Sequence, residues 1–167
     1  MSAKSLNSPV MMDAIFKIQA RINQTEIRDA ALNFSTDTKL AWLVGRCGHI
    51  ATTTRRNEAV LDVGACAFAW LESLHLSDMD ILERIAAERV RQKKLFADRI
   101  HHFRADSPVV DWTRKLRVLV EEVGEVAQAI DRLEASPRYK RYKKNFIEEL
   151  IQVAAVAVAW LESLEAK

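Results

Sequence analysis

A chain of 167 residues, 49% hydrophobic and 29% charged, is one domain's worth of material, with enough apolar content for a core and too even a charge balance for disorder. Four glycines and three prolines are too few for the turns of a β-sandwich or the phosphate loops of a doubly wound sheet. A formal net charge of +2 gives no footing to a nucleic-acid partner, so charge arguments must be local.

Apolar residues recurring at helical spacing predict an all-α bundle of about six helices, over 11–24, 37–55, 57–75, 78–104, 110–135 and 144–165. Before the first of them, Met1 to Asn7 carry one lysine and no apolar run, and the longest apolar stretch, Val153 to Leu161, is far short of a membrane span. The expected address is therefore cytoplasmic, without a membrane partner. Ser77, Asp106-Ser107-Pro108 and Ser136-Pro137 supply cap and stop chemistry between helices.

The second and third helices carry Cys47 and Cys66 on apolar faces, which reads as small buried hydrophobes rather than a disulfide. The third helix also carries Ala69-Trp70-Leu71-Glu72-Ser73-Leu74, and the sixth repeats it as Ala159-Trp160-Leu161-Glu162-Ser163-Leu164. Aligned without gaps, 58–74 and 148–164 agree at ten of seventeen positions. The second helix matches the fifth at Lys39/Lys115, Leu40/Leu116, Leu43/Leu119, Val44/Val120, Gly48/Gly124 and Ala51/Ala127, and a weaker echo pairs Arg21 with Arg89. One domain over 1–167 is expected to consist of two tandem repeats, 11–76 and 78–167, related by a pseudo-twofold axis. Trp70 and Trp160, at equivalent positions, read as core, and the continuous apolar stretches 63–70 and 153–160 read as central helices.

The repeats differ in their acids. Glu121, Glu122 and Glu125 of the fifth helix align with Gly45, Arg46 and His49, and Glu149 and Gln152 of the sixth align with Ala59 and Asp62. Carboxylates three and four residues apart share a helix face and repel one another unless a cation intervenes. Acid oxygens converging from two facing helices are how a bundle holds a hard cation such as Mg²⁺, with substrate phosphates as the natural co-ligands. Taken singly, each of these glutamates fits a solvated helix face. The first repeat is degenerate in this respect: His49 reads as a partly buried packing residue and Asp62 stands alone.

Between the acidic helices lies a segment that the first repeat lacks, Arg138-Tyr139-Lys140-Arg141-Tyr142-Lys143-Lys144. Arg138, Lys140, Lys143 and Lys144 are candidate phosphate contacts and the tyrosines candidate stacking faces, set against an exposed linker. His102 and Trp112, near the junction before the fifth helix, are candidates to clamp a base, set against interhelical packing.

Glu121-Glu122-Val123-Gly124-Glu125, a spacer, and then Glu149-Leu150-Ile151-Gln152 resemble the all-α nucleoside triphosphate pyrophosphatase (MazG-like) superfamily, whose pattern is EExxE, a spacer, then ExxD. The resemblance covers roughly residues 115 to 160. It implies a helical bundle hydrolysing a nucleoside triphosphate to the monophosphate and pyrophosphate with Mg²⁺, or Mn²⁺ in its place. It further implies Glu122, Glu125 and Glu149 as metal ligands, Glu121 as a ligand or a positioner of the attacking water, and a possible homodimer. Gln152 takes the family's Asp position, where an amide oxygen still coordinates but brings no charge. The alternative is a catalytically attenuated nucleotide-binding or protein-interaction module on the same fold.

Overall fold

The computed structural model describes residues 8–23, 25–98, 105–135 and 139–165. Among them are seven helices and no strand: α1 (Pro9–Ile22), α2 (Thr25–Asn33), α3 (Thr36–Thr52), α4 (Arg56–Ser73), α5 (Asp78–Ala97), α6 (Trp112–Ala135) and α7 (Tyr139–Glu165). None of them is long and apolar enough to cross a membrane.

Local chemistry accounts for most of the starts. Ser8, Ser35 and Ser77 sit in extended backbone and accept from the amides of Met11, Thr38 and Asp80, meeting the unpaired donors of a first turn. The α6 cap is Asp111 and not the expected Asp106-Ser107 pair: Asp111 Oδ1 accepts from the amides of Thr113 at 2.8 Å and Arg114 at 3.1 Å. Asp106 is drawn instead to Arg89, at 3.0 Å. After α4 the chain turns at His75, whose φ of 68° is left-handed, a conformation that costs a side-chain-bearing residue about 1 kcal/mol.

Two departures from the expected helices have simple causes. A seventh helix, α2, occupies what reads as a connection; Ile27, Ala30 and Ala31, spaced three and four apart, are its buried face. From Tyr139 on, the basic segment before 144 forms the opening turns of α7, because straight-chain lysines and arginines are good helix formers.

Helices α4 and α7 lie at the centre and pack on each other; α3 and α1 pack on α4, α6 and α5 on α7, α3 against α6, and α2 on α4. Both central helices are buried through their apolar runs, 63–71 and 153–161. Small residues permit the close approach: a Cβ at Gly64 would meet Ile18 Cδ1 at 2.7 Å and Ala157 Cβ at 3.3 Å. Cys47 and Cys66 are buried free thiols, each pushed up to about 12 by burial.

Residues aligned between the halves make matching contacts. Lys39 Nζ donates to Ser73 Oγ at 3.1 Å, which donates to the Trp70 carbonyl at 2.7 Å. Lys115, Ser163 and Trp160 form the same chain across α6 and α7. The Arg21/Arg89 echo has no such counterpart, since Arg21 meets Asp62 near the start of α4 and Arg89 meets Glu162 near the end of α7. Arg89, Glu162 and Asp106, all deeply buried and edged by Lys93, tie α5 and the connection before α6 to α7. Deleting one partner of such a group costs about 3–5 kcal/mol.

Candidate metal centre

Helices α6 and α7 bring the separated acids of the sequence together. Glu122 and Glu125, three residues apart on α6, face Glu149 on α7, and one oxygen from each lies within 4.8 Å of the other two. The opposite faces of both helices carry Leu119, Val123, Val126, Leu150 and Val153 into the core, so burial of the apolar stripe dictates where the acids project.

The electrostatics of this arrangement are unfavourable as it stands. Burial, followed by the charges of Glu125, Glu149, Glu88 and Glu121, pushes the Glu122 carboxyl up to about 8. Burial, followed by the charge of Glu125, raises Glu149 as well. Glu122 Oε2 is shut away from solvent with no hydrogen-bond partner, although buried polar atoms are normally satisfied. A divalent cation among the three glutamates would offset their mutual repulsion and give the unpartnered oxygen a partner, and an all-oxygen donor set is the set that Mg²⁺ or Mn²⁺ prefers. The residues present therefore fit such an ion.

Other expected residues fall in different places. Gln152 is in the cluster, but as a bridge: its amide nitrogen donates to Glu149 Oε2 and its oxygen accepts from Arg91 Nη2 at 3.2 Å. Reversing the amide would set oxygen against carboxylate and nitrogen against guanidinium, so this orientation is fixed by its partners. Glu121 is exposed beside the cluster. Lys144 pairs with Glu148 at 3.6 Å, one residue from the cluster, while exposed Lys140 and half-buried Lys143 stand earlier on α7.

Trp112 is not with the acids. It lies ten residues before Glu122, roughly 15 Å along α6, with the Arg56 guanidinium 4.1 Å from its ring centroid, which makes it an interhelical packing residue. Arg138 and His102 lie outside the described residues.

Four neighbours were not evident from the sequence. Glu88 and Arg91 of α5 form a two-pronged ion pair at 2.6 and 2.7 Å, and that hydrogen bonding raises the Arg91 pKa. Arg84 lines the adjoining cleft, and Asn145 donates to Glu149 Oε1 at 3.1 Å. The spacing of Arg84, Glu88 and Arg91 on α5, at every third or fourth residue, is also that of an ordinary solvated face, so sequence alone offered no signal.

No family model, curated protein or solved structure matches this chain.

The corresponding corner of the first half is built differently. Asp62, aligned with Gln152, is buried and neutralised by Arg21 at 2.6 Å and Arg46 at 3.1 Å. Arg46 stands where α6 has Glu122, so a fixed guanidinium takes the place that a mobile cation would fill. His49, expected to be partly buried, is exposed.

Proposed function

We propose that the protein is a metal-dependent nucleoside triphosphate pyrophosphohydrolase of the all-α, MazG-like kind, and that its two halves descend from a duplication in which only the second kept a metal centre. The observation that carries the reading is the convergence of Glu122, Glu125 and Glu149 around a buried carboxylate oxygen that has no partner.

In this reading Glu122, Glu125 and Glu149 hold Mg²⁺ or Mn²⁺, and Asn145 and Gln152 fix the Glu149 carboxylate by hydrogen bonds to its two oxygens. The bound ion supplies charge neutralisation at the phosphate oxygens. Exposed Glu121, adjacent on α6, orients the water that attacks the α-phosphorus and accepts its proton, passing it to solvent; the bond to the α–β bridging oxygen breaks and pyrophosphate leaves. Gln152 supports this as a positioning residue, since its oxygen is committed to Arg91.

A second reading, a nucleotide-binding module without turnover, draws on the same commitment of Gln152, which leaves four acids where the motif's pattern has five. Pyrophosphate release from a panel of ribo- and deoxynucleoside triphosphates, for the wild type and Gln152→Asp, separates the two. Release by the wild type is expected. Release by Gln152→Asp alone favours the binding module, and release by neither, with no stabilisation by nucleotide and Mg²⁺, overturns both.

A further inference from the structure

Between α5 and α7, next to the acid cluster, lies a cleft of about 490 Å³ lined by Arg84, Glu88 and Arg91 on one side and by Glu148, Ile151 and Gln152 on the other. Its size suits a small ligand, and its charge is decided by which ionic groups are already engaged. Glu88 receives two N–H groups of Arg91 and one of Gln92, and Glu148 is paired with Lys144. Arg84 makes no ion pair among the described residues, and Arg91, with Nε and Nη2 committed, retains Nη1 without a protein partner among them. Glu88 is answered within the walls and Glu148 by an exposed lysine outside them, while two arginines keep donors to spare. Seven residues apart on α5, the arginines stand about two turns, roughly 10.5 Å, from each other on one face, so their long side chains can reach the two ends of one short phosphate chain. The cleft meets the acid cluster at Gln152, which touches both Arg91 and Glu149.

We infer that this cleft seats a chain of phosphates, with Arg84 and Arg91 as its anion-binding residues. The inference rests on the metal-centre reading only for the direction of the chain, whose phosphate nearest Gln152 reaches the acids. It moves the expected phosphate contacts from the basic opening of α7 to α5, where guanidiniums offer paired donors to phosphate oxygens.

The test is calorimetric titration of the full chain with tripolyphosphate, with and without saturating Mn²⁺, for wild type, Arg84→Met, Arg91→Met and the control Lys140→Met. Affinity should fall about tenfold or more for Arg91→Met, about fivefold for Arg84→Met, and stay within about twofold for Lys140→Met. Mn²⁺ alone should bind several-fold more tightly to Arg91→Met, because a positive charge beside the carboxylates is gone; a merely misfolded variant would weaken both ligands. Wild type that fails to bind tripolyphosphate, or unchanged affinity in both arginine variants, overturns the assignment. Arginine-dependent tripolyphosphate binding without any Mn²⁺ binding upholds the cleft and refutes the metal centre; Mn²⁺ binding with arginine-independent tripolyphosphate does the reverse. Nucleoside triphosphates binding more tightly than tripolyphosphate, with the same arginine dependence, mark the chain as a nucleotide's; equal binding marks it as inorganic, and either supports the cleft.

Discussion

Replacing Glu122 by glutamine should stabilise the metal-free fold while abolishing its response to metal. An ordinary glutamate titrates near 4.5, and burial beside Glu125 and Glu149 moves Glu122 to about 8. Between those values the folded protein holds a proton that the unfolded chain has lost, so stability falls as pH rises through this window and levels off above it. The full gap sets a ceiling of about 5 kcal/mol. Glutamine must still be buried, and part of the side chain reaches solvent, so the realised gain should be about 2 kcal/mol. For a chain of this size that is about 4–8 °C in Tm. Thermal melts in chelator at pH 5 and pH 8.5 measure it: a small difference at pH 5 and the full gain at pH 8.5 are expected. Saturating Mn²⁺ should raise the wild-type Tm and leave the variant unmoved. A gain equal at both pH values, or none at pH 8.5, would refute the claim that an uncompensated carboxylate is buried there.

Other substitutions probe the frame around the site. Gly64→Ala should cost about 1–3 kcal/mol, since the new methyl meets Ile18 and Ala157, whereas Gly124→Ala, with open space at its Cβ, should gain up to about 1 kcal/mol; urea denaturation compares them. His75→Gly relieves the left-handed residue at the end of α4 and should add about 0.5–1 kcal/mol by the same assay. Asp62→Ala leaves Arg21 and Arg46 facing each other and should cost about 3 kcal/mol, with Mn²⁺ affinity unchanged.

Periodicity made the helical class legible, because an apolar stripe repeating every three to four residues has no other economical burial. The uninterrupted run from Val153 to Leu161 marked a central helix for the same reason. Two places misled. Ile27, Ala30 and Ala31 make too short and weak a stripe to separate α2 from a connection, and the lysine-rich start of α7 reads as linker because its charge hides good helix propensity. Of the site, Glu122, Glu125 and Glu149 were visible as acids with no structural reason to crowd one face. Glu88, Arg91 and Arg84 were not, because their meaning comes from the way α5 lies against α7 and not from their own spacing. Trp112 shows the converse limit: an aromatic near the motif in sequence stands far from it once ten helical residues intervene.

The most direct measurement is a titration with Mn²⁺, followed by electron paramagnetic resonance, on wild type, Glu122→Gln, Glu149→Gln and Asp62→Ala at pH 8.5. Saturable binding by the wild type and by Asp62→Ala, weakened at least about tenfold in both glutamine variants, is the predicted result. Wild-type protein that leaves Mn²⁺ free at millimolar concentration, or glutamine variants that bind as tightly as the parent, would contradict a metal centre at Glu122, Glu125 and Glu149.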